Sequence, residues 1–163
     1  MAKDSSFDVV SQVDMQEMDN AVNQVKKEID QRYDFRGSNA SIDLEEKGVK
    51  IAAEDEYKLE TIIDMLRVKM AKRGIPLRCL VPGKVEAAAK NTVRQQLEIQ
   101  QGIPKDKAKA IVAAIKATKL KVSAQMQDDQ VRVSGAKKDD LQAVIQTLKA
   151  GDFGVDLQFI NMR

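Results

Sequence analysis

An aromatic and cationic cluster is the segment of this chain best suited to ligand chemistry. Tyr33, Phe35 and Arg36 lie within four positions of one another, in a chain with only two tyrosines and four phenylalanines. A base can stack on an aromatic ring while an arginine guanidinium reaches a phosphate, so the cluster predicts a nucleotide contact. The alternative is structural: both rings cap the core beneath a helix end, and Arg36 forms an ordinary surface ion pair.

A row of lysines in the second half is a second candidate surface. Lys105, Lys109, Lys116 and Lys119 fall within roughly an 80° arc when placed on a helix at 100° per residue. Such a row can neutralise the phosphates of a polyanion. Alternatively, the lysines shield the edge of a core with their methylene chains while their ammonium groups stay in water.

The chain lacks most of the side chains that enzymes use. It has no histidine and one cysteine, which removes imidazole bases, histidine ligands, thiolate zinc sites and internal disulfides. Its glycines are dispersed, so neither a Walker loop nor a dinucleotide fingerprint is present. The pairs Asp128-Asp129 and Asp139-Asp140 suit a turn and a helix start better than a metal site. We therefore predict a non-enzymatic protein with no catalytic residue, no metal site and no cofactor.

The elements that position these residues occur twice. Residues 41–67 align without a gap on residues 123–149, so that Leu59 falls on Leu141. Each copy reads as two strands, joined by a short turn and followed by an amphipathic helix. In the first copy, Gly48 is expected to supply the positive φ of the turn. A repeat of this length indicates a small domain rather than a solenoid unit.

Each half of the chain predicts the element order βαββαβ. This order is typical of a ferredoxin-like domain, in which two helices cover one face of a four-stranded antiparallel sheet. We expect an α+β protein with two such domains in tandem, residues 1–88 and residues 89–163. The sequence leaves open whether an N-terminal strand exchanges between the two domains.

The second sheet is expected to have one polar face. If its apolar residues face the helices, the open face carries Lys121, Ser123, Gln125, Gln127, Arg132, Ser134 and Gln158. This face lacks the aromatic residues on which RNA-recognition modules stack bases. Lys121 and Arg132 remain as cations that can bind a phosphate, so both are further candidate nucleotide-binding residues.

Charge and hydropathy give the expected surroundings and partners. Residues 1–83 have a net charge of −3 and residues 84–163 a net charge of +5, which favours the second half for a phosphate-bearing ligand. No apolar run approaches the roughly 18 residues that span a bilayer. The N-terminal residues show no secretory signal pattern. We predict a cytoplasmic protein without a membrane partner.

Several segments resemble a known family. They are SFDVVS (6–11), RYDFR (32–36), KLKV (119–122), RVSG (132–135), DDLQAV (139–144) and LQFINMR (157–163). Together they resemble the YajQ family of bacterial proteins, from residue 6 to the C-terminus. The resemblance implies tandem domains like those of RNA-recognition (RNP) modules. It also implies a cytoplasmic protein that binds nucleotides, with cyclic di-GMP and RNA among the ligands proposed for its members.

Two functions are consistent with the sequence. The first is a non-enzymatic nucleotide-binding protein with a regulatory role, whose ligand is cyclic di-GMP, a purine nucleotide or RNA. The second is a protein–protein adaptor to which nucleotides or RNA bind only incidentally. The resemblance and the basic second half favour the first function, whereas the weak aromatic content favours the second.

Overall fold

The computed structural model describes residues 4–163, which form two four-stranded antiparallel sheets and four helices. The strands are β1 (Ser5–Val10), β2 (Ser41–Leu44), β3 (Gly48–Ala53), β4 (Leu80–Ala87), β5 (Val93–Ile99), β6 (Val122–Gln127), β7 (Gln130–Gly135) and β8 (Gln158–Ile160). The helices are α1 (Met15–Gln31), α2 (Glu56–Lys72), α3 (Lys105–Ala117) and α4 (Lys138–Ala150). The predicted α+β class with two ferredoxin-like domains is confirmed. Among residues 4–163, no helix is long and apolar enough to cross a membrane.

Two compact units divide the chain. Module A comprises the described residues up to Gln12 together with Gln101–Arg163, and module B is Val13–Gln100. The sheet of module A has the strand order β6-β7-β1-β8, and that of module B has the order β2-β3-β5-β4. Each module has its own core, in which the inward residues of the sheet pack against the helices.

The internal repeat is visible in both modules. The segment β2-β3-α2 corresponds to β6-β7-α4, with β3 and α2 beginning 82 residues before β7 and α4. The aligned residues Leu59 and Leu141 are 1% and 2% exposed. Fully burying a leucine contributes about 1.5–3 kcal/mol, so both copies use this position to hold the helix on the sheet.

The division at residues 88 and 89 differs from these units in two places, at the N-terminal strand β1 and at β5 in the middle of the chain. β1 pairs with β7 and β8 of module A, so the N-terminal strand does exchange. β5, which sequence analysis places in the second domain, pairs with β3 and β4 of module B. Each sheet therefore keeps four strands, but the chain enters module A, leaves it at Gln12 and returns at Gln101.

Gly48 serves a different purpose from the one expected. Its φ is not positive, and it is the first residue of β3, directly opposite Glu98 of β5. A Cβ added at Gly48 would collide with the carbonyl oxygen of Leu97. The residue is therefore needed for the close approach of β5 rather than for the turn.

Candidate functional site

The aromatic and cationic cluster lies in the turn that follows α1 in module B. Helix α1 begins at Met15, where the Asp14 carboxylate accepts hydrogen bonds from two backbone N–H groups of the first turn. It ends at Gln31, and a short 3-10 turn follows at Tyr33–Phe35. Gly37 then adopts a φ of +74°, a conformation that is unfavourable for any residue with a side chain. The chain reverses here and presents the cluster at one end of the helix.

Phe35 belongs to the core of module B. It is only 4% exposed and packs with the buried residues of that module. Two cations lie over its ring: the guanidinium carbon of Arg32 is 5.6 Å from the ring centroid, and Nζ of Lys58 is 5.9 Å from it. Phe35 therefore caps the core beneath the helix end, as in the structural alternative, and has no open ring face for a base.

Tyr33 and Arg36 are open to solvent. Tyr33 is 84% exposed, and the guanidinium carbon of Arg36 lies 5.8 Å from the centroid of the Tyr33 ring. The distance is within the range of a cation–π contact. Within residues 4–163, Arg36 has no carboxylate partner. The pair thus combines an exposed ring with a cation whose hydrogen-bonding groups are unused.

The neighbouring arginine, Arg32, has a carboxylate within reach of each of its three side-chain nitrogens. Its Nε and Nη2 donate to the two carboxylate oxygens of Asp34, both at 3.0 Å, and its Nη1 lies 3.5 Å from Glu28. The hydrogen bonds with Arg32 lower the pKa of Asp34, and those with Asp34 raise the pKa of Arg32. Of the two arginines around this turn, only Arg36 has no carboxylate partner among the described residues.

The two other candidate nucleotide-binding residues lie in module A. Lys121 is exposed just before β6, and Arg132 is half-buried on β7. The structure brings Tyr33, Phe35 and Arg36 together in one module, and it places Lys121 and Arg132 in the other, with only Arg132 within a strand. The five predicted residues therefore do not share one element or one sheet.

Arg132 is held by Asp8, a residue that sequence analysis missed. The side chain of Asp8 is 2% exposed. Arg132 Nε and Nη2 donate to its oxygens at 2.9 Å and 3.4 Å, and Asn161 Nδ2 donates at 2.8 Å. The Arg132 hydrogen bond is the main cause of a lowered pKa of Asp8. Only the pairing of β1 with β7 could have revealed this contact, because the two residues lie on distant segments.

The polar face expected for this sheet is present. The registers of β6, β7 and β1 place Gln125, Arg132 and Asp8 in one row across the sheet, and a second row consists of Ser123, Ser134 and Ser6. The aromatic residues of this sheet, Phe7 of β1 and Phe159 of β8, pack edge-to-face on the helix-covered side, with ring centroids 6.0 Å apart. The strands of module A therefore offer hydrogen-bonding groups and cations, but no stacking ring.

The four lysines of the second candidate surface are all exposed on module A. Three lie on α3, and Lys119 follows the helix with a φ of +60°. No ion pair involves any of them within the part of the chain that the structure describes. A groove of about 330 Å³, here called the α3–β6 groove, is lined by Lys109, Val112, Ala113, Lys116, Ala124 and Met126. Polyanion binding by the row stays a prediction.

A concavity in module B was not anticipated from the sequence. It has a volume of about 260 Å³ and lies where the register of β4 against β5 shifts between Pro82 and Val85. Its lining includes three cations, of which Arg94 is paired with Glu86 at 3.2 Å. The lining residues are Lys50, Gly83, Lys84, Glu86, Arg94, Gln95 and Gln96. Strand alternation alone does not reveal a bulge of this kind.

Residues 4–163 contain no cluster of three or more acidic, cysteine or histidine side chains that could hold a metal ion. The ion pairs of Arg32 with Asp34 and of Arg132 with Asp8 fix side-chain positions. The chemistry that these surfaces support is non-covalent: stacking on Tyr33, and charge-assisted hydrogen bonds from arginine and lysine.

Comparison with known proteins identifies relatives over the whole length. The family model described as nucleotide-binding protein YajQ-like matches residues 5–163. A protein from Geotalea daltonii is 57% identical over 158 residues, which cover 97% of this chain and 98% of that protein. One from Syntrophotalea carbinolica is 58% identical with the same coverage, and one from Carboxydothermus hydrogenoformans is 54% identical over the full length of both chains. All three are named nucleotide-binding protein.

Proposed function

Because the chain belongs to the YajQ-like family of nucleotide-binding proteins, we propose that it is a regulatory protein of the cytoplasm that binds a nucleotide without transforming it. The ligand is cyclic di-GMP, another purine nucleotide or RNA. The absence of histidine from the sequence and its dispersed glycines support binding over catalysis.

The pair Tyr33 and Arg36 carries the proposal. A nucleotide needs a surface for its base and a cation for its phosphate, and this pair supplies both within one turn. The Tyr33 ring is 84% exposed, so a base can stack on it without displacing protein atoms. The Arg36 guanidinium lies beside the ring, and a phosphate would not have to displace a carboxylate from it among the described residues. Phe35 contributes by holding the turn on the core, since its own ring is buried.

Arg132 and Lys121 are proposed as further phosphate contacts on the sheet of module A. Asp8 uses only two of the five N–H donors of Arg132, so the remaining donors can meet a ligand. The Asp8 contact also fixes the guanidinium, which lowers the entropy cost of each new hydrogen bond. Lys121 is exposed and adds a second positive charge next to β6.

Calorimetric titration of the full chain would test this function. The ligands are cyclic di-GMP, GMP, GTP, ATP and a short single-stranded RNA, each at two salt concentrations. Saturable binding of one nucleotide with modest salt dependence supports the proposal. Steep salt dependence without base preference would reduce the interaction to phosphate attraction, and no saturable binding of any ligand would refute the proposal.

Variants at the pair make the test specific to the site. Arg36→Ala should weaken nucleotide affinity by about 1–3 kcal/mol, the range of a charge-assisted contact, and Tyr33→Ala should weaken it through lost stacking. Tyr57→Ala is the matched control, because Tyr57 is 81% exposed in the same module and no described cation lies over its ring. Unchanged affinity of Arg36→Ala for every ligand would make the cluster structural.

A further inference from the structure

The α3–β6 groove combines an apolar floor with an unpaired strand edge. The floor is made by Val112 and Ala113 of α3 and by Ala124 and Met126 of β6, and Met126 is 48% exposed. β6 is the outermost strand of its sheet. Exposed strand edges pair readily with another chain unless they are blocked. Proline and inward-pointing charge, two common blocking devices, are missing from this strand.

The backbone of β6 presents hydrogen-bonding groups at this edge. The N–H of Val122 donates to the Leu120 carbonyl rather than to β7, which identifies Val122 as an outward-facing position. In an antiparallel pair, the hydrogen-bonding direction alternates from one residue to the next. Ala124 and Met126 therefore also turn their N–H and C=O groups away from β7, along the open edge. Their side chains lie in the groove itself.

The rim of the groove is cationic. Lys109 and Lys116 flank the apolar floor, no lining residue is acidic, and neither lysine has an ion pair within residues 4–163. They are seven positions apart on the helix, which is roughly 10 Å along the axis. In an extended peptide, residues i and i+4 point to the same side about 13 Å apart. Two lysine side chains can reach acidic residues at that spacing.

We propose that β6 and the α3–β6 groove bind an extended acidic peptide segment of a partner protein by strand addition. The peptide backbone pairs with Ala124 and Met126. An apolar residue at i+2 contacts the floor, and acidic residues at i and i+4 meet Lys109 and Lys116. This surface is separate from the nucleotide site proposed at Tyr33 and Arg36, and it gives the adaptor function a specific location.

Other occupants fit the surface less well. A second copy of this chain, paired edge to edge through β6, would bring its own Lys109 and Lys116 against the same two lysines, which is unfavourable. RNA would satisfy the lysines, but it does not require an apolar floor or an open strand edge. The acidic peptide is the occupant that uses all three features.

The test uses the full chain and a fluorescein-labelled synthetic peptide with Glu at i and i+4, Val at i+2 and Thr elsewhere. Fluorescence polarisation should show saturable binding, and the amides of Ala124 and Met126 should exchange more slowly in its presence. The double variant Lys109→Glu and Lys116→Glu should lower the affinity at least about tenfold, because both favourable charge contacts become repulsive. The same variant should gain affinity for a peptide with Lys in place of Glu.

Controls separate strand addition from general charge attraction. The exposed pair Lys137 and Lys138 lies outside the groove, and its reversal to Glu should leave the affinity within about twofold, because exposed charges that do not contact the peptide are screened by salt. A peptide N-methylated at its pairing amides should not bind. Arg36→Ala should bind the peptide as the parent does, so the two sites can fail independently.

Three results would overturn the proposal. They are no saturable peptide binding by the parent, equal binding by the Lys109 and Lys116 double variant, and binding that is insensitive to N-methylation. An oligoribonucleotide that slows exchange at Ala124 and Met126 when the peptide does not would assign the groove to RNA instead.

Discussion

Arg132 and Asp8 form a two-point ion pair across neighbouring strands, although 124 positions separate them in the sequence. The two residues differ in their surroundings. The Arg132 side chain is 43% exposed, whereas that of Asp8 is 2% exposed. Removing one partner therefore affects the other differently in the two cases, because only the Arg132 side chain can form hydrogen bonds with water instead.

Asp8→Asn should destabilise module A by about 1–2 kcal/mol, since the ion pair with Arg132 is lost and an amide offers one acceptor oxygen where the carboxylate offers two. Arg132→Ala should destabilise it more, because it leaves a buried carboxylate with Asn161 as its remaining side-chain donor. Native-state amide exchange of β1 and β7 in the two variants measures both effects in module A. An equal or smaller loss in Arg132→Ala would contradict the asymmetry.

The same pair predicts a pH dependence of stability. The pKa of Asp8 is lowered in the folded state, chiefly by its hydrogen bond with Arg132. Such a group stabilises the fold above its unfolded-state pKa of about 3.9, and the contribution disappears as the pH falls through the lower folded-state value. The stability difference between the parent and Asp8→Asn should thus be constant from about pH 5 to 7 and shrink below about pH 4. Urea unfolding across this range tests the sign, and a difference that grows in acid would contradict it.

Truncation should destabilise the protein strongly at Phe35 and very little at Tyr33. Phe35→Ala removes a buried ring and should cost about 3–5 kcal/mol of unfolding free energy, with a lower melting temperature. Tyr33→Ala removes an exposed ring and should change stability by no more than about 0.5 kcal/mol. Thermal melting of both variants distinguishes the ring that holds the turn from the ring that is available to a ligand. A large loss in Tyr33→Ala would remove its proposed role as an open stacking surface.

The lysine row should govern non-specific polyanion binding. Replacing Lys105, Lys109, Lys116 and Lys119 by Gln should weaken heparin binding and flatten the dependence of its affinity on salt, because each phosphate or sulfate contact releases counterions. The matched control replaces four exposed lysines of module B, with the same change in net charge: Lys27, Lys47, Lys72 and Lys90. If both quadruple variants lose affinity equally, net charge rather than the row is responsible.

Local pattern was sufficient for the repeated core. Leu59 and Leu141 lie at equivalent places because strand and helix periodicity are properties of neighbouring residues. The partner of β1 is not such a property. The spacing of Phe7 and Val9 indicates a strand with one buried face. The same pattern would suit a strand in either sheet, so only the structure assigns β1 to module A.

At the candidate site too, local sequence pattern does not decide which residues are buried. Tyr33 and Phe35 are two residues apart, and composition gives no means of deciding which ring is buried. That outcome depends on the turn at Tyr33–Phe35 and on the packing of Phe35 in the module B core. Asp8 was missed for a related reason, since a single acidic residue in an apolar strand reads as solvent-facing until its partner strand is known.

The exchange of β1 also sets an order of assembly on the ribosome. Module B is a continuous segment that is made before β7 and β8, so it can fold as a unit before module A has all of its strands. β1 emerges before every other strand, yet both of its neighbours, β7 and β8, are synthesised after module B. β1 therefore waits longer for its partners than any other described strand, and module A closes only after β7 and β8 have been made.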